Sequence, residues 1–189
     1  MFLRRLTITL AVLWAITEIF INIRQARSVR VKSRKDRGSL LLIYAAITAG
    51  FNLGIPLSSG LRGRIAFAYP FLEVGGLVLM AAGFAVRLAA ARSLKGQFTH
   101  SVTVQAEDKL VRKGLYRSIR HPAYAGELMT LLGVGLALGN WLSVLALFGI
   151  PLLALLYRIS VEEKTLLVHY GEEYREYRER TKRLIPGIY

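Results

Sequence analysis

The chain has no cysteine, only 12 acidic residues, three histidines and five prolines. Without a thiol there is no disulfide, Fe–S cluster, Cys-type zinc site or cysteine nucleophile. Three scattered histidines make a poor transition-metal site, no H-E-x-x-H occurs, and no metal is expected. A phosphate-cradling G-x-x-x-x-G-K-[ST] loop and a G-x-G-x-x-G after a strand are also missing. The shortage of acids is one-sided, because 26 Lys and Arg leave a formal charge of +14.

Apolar residues are abundant: 53% of the 189 residues are hydrophobic, and the mean hydropathy is +0.40. They lie in long blocks, so the basic charge reads as basic loops of a small polytopic membrane protein. A soluble nucleic-acid binder, a disordered chain and a secreted disulfide scaffold are excluded. A spanning helix needs about 20 apolar residues. The blocks predict spans over 6–23, 39–57 and 65–91, then a long stretch, 124–157, that crosses twice. Leu138-Gly139-Asn140-Trp141 is its turn, splitting it into 124–138 and 141–157. No small-residue cleavage site follows the first block, which is therefore expected to stay as an anchor.

Charge orients the five spans. Loop 24–38, segment 92–123 and tail 158–189 each hold seven Lys or Arg, against Arg4, Arg5, Arg62 and Arg64 on the other side. The expected topology puts the N-terminus outside and the C-terminus in the cytoplasm. The basic segments 92–123 and 158–189 are too short for cores of their own. The chain is expected to be one all-α membrane domain, 1–189, with chemistry where these two segments meet the helix ends. An inner cell membrane and an endomembrane are not distinguished, nor is the oligomeric state.

Four groups stand out. In Arg120-His121-Pro122-Ala123-Tyr124, Pro122 suits a first helical turn and puts His121 at a positive helix end. That is either a simple cap or a site for an anionic or polar ligand. Arg158 and Glu162 share a helix face, as a plain i,i+4 pair or as a ligand site. Arg87, inside the third span, either snorkels to the interface or serves function. Acids inside spans are Glu127, near the start of the fourth, and Glu73 and Glu18, and neither of the last two has an evident role. Finally, His169–Arg180 reads as a charged amphipathic helix with pairs such as Glu176–Arg180, and with Tyr170, Tyr174 and Tyr177 packing inward. Leu184-Ile185-Pro186-Gly187 ends it. Gly126, Gly133, Gly135 and Gly139 would let helices approach closely.

The order of these motifs resembles the isoprenylcysteine carboxyl methyltransferase family. The likeness is carried by Gly96-Gln97-Phe98-Thr99-His100, Leu110 through Tyr124 with its R-H-P-x-Y, Glu162-Glu163, and Tyr170-Gly171-Glu172-Glu173-Tyr174. It covers roughly residues 87–189 and looks like a short five-helix member. Such enzymes are integral membrane proteins using S-adenosylmethionine and releasing S-adenosylhomocysteine. The resemblance implies a C-terminal cytosolic cofactor pocket made by His100, Lys109, Leu110, Val111, Tyr116, His121, Pro122, Ala123, Tyr124, Glu162 and Glu163. It also implies catalytic arginines at Arg158, placed at the acceptor carboxylate, and Arg87.

The implied activity is methyl transfer to a lipophilic acceptor, with carboxyl O-methylation of an isoprenylcysteine-like or prenylated substrate in front. A phospholipid or amine N-methyltransferase, an NADPH-dependent membrane reductase and a non-enzymatic membrane scaffold stay open beside it. Membrane lipids are expected partners and nucleic acid is not. A carboxylate acceptor is already ionised at neutral pH, so positioning rather than a general base would drive the reaction.

Overall fold

The computed structural model describes residues 5–17, 34–60, 62–65, 69–94 and 110–189. Among these residues the fold is all-helical. Helix α1 spans Arg5–Thr17, α2 Arg34–Leu57, α3 Tyr69–Ser93 and α4 Pro122–Ala137. Helix α5 runs through Trp141–Tyr170 and α6 through Glu172–Arg180. Stretches of α2, α3 and α5 are each long and apolar enough to cross a membrane. Their outward faces carry Leu41, Phe71, Val78 and Leu153, all exposed apolar side chains that suit lipid rather than water.

The central element is α4, which lies almost wholly buried. In lipid there is no hydrophobic drive between helices, so close packing must hold them together. The sequence supplies it with small residues seven apart on two facing helices. A Cβ on Gly83 would sit 2.6 Å from the Gly126 carbonyl, and one on Gly76 2.6 Å from that of Gly133. Helices α3 and α4 therefore touch backbone to backbone, as expected for Gly126 and Gly133. On the other flank, Gly135 meets the Val144 backbone and Gly54 meets the buried Leu147. Trp14 and Ala11 of α1 pack on a core of Met80, Leu131, Val134, Leu138 and Leu147.

The predicted hairpin is present. Gly139 adopts φ +64°, a turn conformation that a side chain would strain, and the Asn140 carboxamide accepts from the N–H groups of Leu142 and Ser143 to start α5. The Asn140 amide also donates to the carbonyls of Leu57 and Arg62, tying in the α2–α3 connection. Helix α5 contains one π turn, Leu145–Gly149, just before Pro151. Pro151 has no N–H for the Leu147 carbonyl, which marks where the regular ladder is interrupted.

The tail differs from its expected form. His169–Arg180 is not one helix: Gly171, at φ +55°, breaks it between α5 and α6. Glu176–Arg180 is not an ion pair; Arg175 pairs with Glu172 instead. Tyr174 and Tyr177 are buried as expected, while Tyr170 is only half-buried. Of the first predicted span, 18–23 with Glu18 lies outside the described residues.

Candidate functional site

The first turn of α4 and the last turns of α5 are brought together by the tail. The Arg120 N–H donates to the Lys182 carbonyl at 2.7 Å, the His121 N–H to the Arg183 carbonyl at 3.0 Å, and the Lys182 N–H to the Ser118 carbonyl at 3.1 Å. The Tyr177 hydroxyl adds a bond to the Tyr116 carbonyl at 2.7 Å. Burial pushes the Tyr177 phenol up to about 12, offset in part by Arg120 and Arg112, so it remains a donor at neutral pH. Burial likewise raises the phenols of Tyr116 and Tyr174.

Within this strap, charged groups are buried at a density that the apolar bundle shows nowhere else among the described residues. Arg158 is 1% exposed. Its Nη1 donates to Ser39 Oγ at 2.6 Å and its Nε to the Tyr124 hydroxyl at 3.4 Å. The same hydroxyl donates to Glu162 Oε2 at 2.8 Å. Arg158 and Glu162 therefore meet through Tyr124. Glu163, one residue on, accepts from Arg120 Nε at 2.9 Å and from Arg183 Nη2 at 3.0 Å. Two guanidinium groups on one buried carboxylate hold it ionised and fix the α5 end to the tail.

His121 stacks on Tyr124, with ring centroids 5.7 Å apart. Its Nδ1 lies 3.9 Å from Glu162 Oε2 and its Nε2 3.4 Å from Glu163 Oε1, yet the buried Nε2 makes no hydrogen bond. The buried Tyr174 hydroxyl has no partner either. Buried polar atoms are normally satisfied, and each exception needs a cause. Glu162 is the partly open carboxylate of the pair, with a quarter of its side chain exposed against a buried Glu163.

Arg87 reaches the site from α3. It forms a 2.8 Å ion pair with Glu127 and donates to the Ala123 carbonyl at 3.2 Å. Both partners of the pair are buried, so the charge is compensated within the protein. Beside it, Tyr116, Ala123 and Ala90 form an apolar cluster joined by Val111.

Sequence reasoning thus places Val111, Tyr116, His121, Pro122, Ala123, Tyr124, Arg158, Glu162, Glu163 and Arg87 in one region. Leu110 is half-buried next to Val111. His100 and Lys109 lie outside the described residues. Four participants went unassigned: Glu127, Arg120, Arg183 and Ser39. Glu127 had a signal, as the lone charge of its apolar stretch. Arg120 sat in the motif without a role, whereas Ser39 and Arg183 had no signal, since their partners are remote in sequence.

A family model described as phospholipid methyltransferase matches residues 72–173, just over half of the chain. A protein of Oryza sativa subsp. indica named "Probable protein-S-isoprenylcysteine O-methyltransferase" is 34% identical over 122 residues, 64% of each chain. The protein-S-isoprenylcysteine O-methyltransferase of Schizosaccharomyces pombe is 32% identical over 127 residues, 66% of this chain and 53% of that one. That of Homo sapiens is 31% identical over 130 residues, 62% and 42%. The chain therefore spans less than two thirds of the length of these curated relatives. A solved structure of the eukaryotic intramembrane Ras methyltransferase, isoprenylcysteine carboxyl methyltransferase, superposes with a TM-score of 0.59 at 23% identity, covering 84% of this chain and 55% of that one. That likeness is one of fold.

Proposed function

This integral membrane protein belongs to the phospholipid methyltransferase family, and from that premise we propose that it transfers a methyl group from S-adenosylmethionine to a lipophilic carboxylate of the isoprenylcysteine type. The reading rests above all on Arg158, buried at the membrane-side end of the cluster and aimed, through Tyr124, at Glu162. The relatives named above carry the acceptor class.

The residues fit the cofactor. Glu162 offers a partly open carboxylate for hydroxyl or ammonium groups, and His121 Nε2 and the Tyr174 hydroxyl are buried without hydrogen bonds. Val111, Leu110 and Tyr116 offer apolar and aromatic surface. We place His121, Tyr124, Glu162 and this apolar wall around the cofactor, with Glu163 holding the wall to Arg120 and Arg183. His100 and Lys109 remain proposed contacts. When bound, the cofactor supplies an electrophilic methyl group on a sulfonium.

Arg158 holds the acceptor carboxylate by charge-assisted hydrogen bonds and fixes its line of attack. No residue needs to take a proton, because the acceptor is already ionised. Tyr124 keeps Arg158 and Glu162 in register, so acceptor and cofactor sites are set by one hydroxyl. Arg87 acts as a positioning residue through Glu127 and Ala123. The packed tail excludes water, which leaves the carboxylate less solvated.

The topology follows. At 1.5 Å per residue, α5 is about 45 Å long and outruns a hydrocarbon core of about 30 Å, so its last turns emerge near Glu162. We propose a single domain of five spans, with α1 and the roughly 24 Å α4 completing the set and the tail on the cytoplasmic side. The family model's description favours a second reading, methylation of a phospholipid amine. There Glu162 would have to take the amine proton.

The test is transfer of tritiated methyl from S-adenosylmethionine to N-acetyl-S-farnesylcysteine or to phosphatidylethanolamine, in detergent. A base-labile methyl ester, lowered about 10²–10³-fold in kcat by Arg158→Ala, is expected. A base-stable product on the amine lipid alone would select the second reading.

A further inference from the structure

The tail carries a second concavity. It is an open basin of about 550 Å³ walled by Arg120, Arg175, Arg178, Lys182 and Arg183, with Glu179 as the acid side chain among its described lining residues. Three of the five cations are matched: Arg120 and Arg183 by Glu163, Arg175 by Glu172. Arg178 and Lys182 have no acid paired with them among the described residues. Like charges around a concave surface repel one another and focus a positive potential into it.

The wall is also held in place. Lys182 is bonded through its backbone in both directions, to Ser118 and to Arg120. The Arg178 carbonyl accepts from Arg120 Nη1, and Arg183 also donates to the Tyr189 hydroxyl. Guanidinium forks and an ammonium carried on this held backbone match the oxygens of a phosphate. The basin has a second character, too. Ile188 and Tyr189 line it, and Ile185 stands beside them, all exposed. Exposed isoleucines and a tyrosine next to a basic basin, just beyond the emerging end of a spanning helix, are what a lipid interface favours.

We propose that this basin binds the phosphate of an anionic phospholipid headgroup, with the lipid's apolar part against Ile185 and Ile188. It differs from the site of methyl transfer in Arg178 and Lys182 and adjoins it through Arg120 and Arg183. Bound lipid would brace the strap that closes the proposed cofactor site, and the positive basin would hold the enzyme's tail at the membrane surface. The proposal stands on the basin's own charge and shape, and survives if the acceptor proves different.

The experiment is calorimetry on the full chain in uncharged detergent. The probes are dihexanoylphosphatidylglycerol, dihexanoylphosphatidylcholine and inorganic phosphate. One phosphatidylglycerol analogue per chain is expected, bound at least about tenfold more tightly than the choline analogue or phosphate, and weakened by added salt. Arg178 and Lys182 are exposed, so Arg178→Gln/Lys182→Gln should fold and lose about tenfold or more of this affinity, while Arg178→Lys/Lys182→Arg keeps it. S-adenosylhomocysteine affinity, measured beside it, should be unchanged in both variants. Equal binding of the glycerol and choline analogues, or full affinity in the Gln double variant, would overturn the proposal. Inorganic phosphate binding as tightly as the lipid would overturn the lipid assignment in favour of a free anion.

Discussion

The α4–α5 hairpin has two ends that solve the same problem differently. At the turn, Gly139 bends the chain and Asn140 satisfies two N–H groups and two carbonyls with one neutral amide. One charged side chain is buried near it, Glu73 of α3, one turn before the Gly76 that meets Ala137. At the open end, Arg87, Glu127, His121, Arg158 and Glu163 are all buried within the first turn or two of α4 and its neighbours. That end still leaves His121 Nε2 and the Tyr174 hydroxyl without a hydrogen bond. A structural end needs only its backbone groups satisfied. The end that gathers five buried charged groups and two of the unmet hydrogen bonds is the one at which we propose that a ligand binds.

The comparison breaks most visibly at the Arg87–Glu127 pair. Glu127→Ala removes the ion-pair partner of a buried cation and should cost about 3–5 kcal/mol in thermal or denaturant unfolding. Arg87→Met/Glu127→Leu should recover most of that loss. If Glu127→Ala unfolds like the parent, the pair is not buried as described.

Tyr124→Phe removes the hydroxyl between Arg158 and Glu162 and should cost about 1.5–3 kcal/mol, the range for hydrogen bonds to charged groups. It should also lower kcat, because acceptor and cofactor sites lose their common register. At the other end, Asn140→Ala removes a helix cap, about 1 kcal/mol, and the donor to two carbonyls, about 1 kcal/mol more, with no change in ligand affinity. A loss of ligand binding there would erase the distinction between the ends.

The smallest effect concerns pH. The Tyr177 phenol is raised by burial from 10.0 to about 12 in the folded protein. The folded state thus holds its proton more firmly, so this contribution is intact below about pH 10 and falls away as pH rises toward 12. Tyr177→Phe should reduce the alkaline loss of stability without abolishing it, since Tyr116 and Tyr174 are shifted the same way.

Much of this was legible in the sequence because it is local. The Gly139-Asn140 turn, the Pro122 helix start and the close approach at Gly126 and Gly133 are each announced by residue type, whereas the facing Gly76 and Gly83 emerge only from the packing of α3 on α4. His121, Tyr124, Arg158 and Glu162 stood out because the apolar blocks put them at helix ends, whereas Tyr116 and Glu163 were singled out only by the family resemblance. What was hidden depends on partners far apart in the chain. Arg87 and Glu127 look like two isolated charges until α3 and α4 are packed, and no local feature links Ser39 to Arg158. Gly171 had the signal for a break, but the surrounding charge pattern is equally that of a continuous helix, and only φ decides.

The most direct measurement is binding of S-adenosylhomocysteine by calorimetry to the parent, to Glu162→Gln and to Asn140→Ala, each shown to be folded. One ligand per chain is predicted, weakened about 10–100-fold by Glu162→Gln and untouched by Asn140→Ala. No binding to the folded parent, or equal affinity in Glu162→Gln, would contradict a cofactor site at the open end of the hairpin.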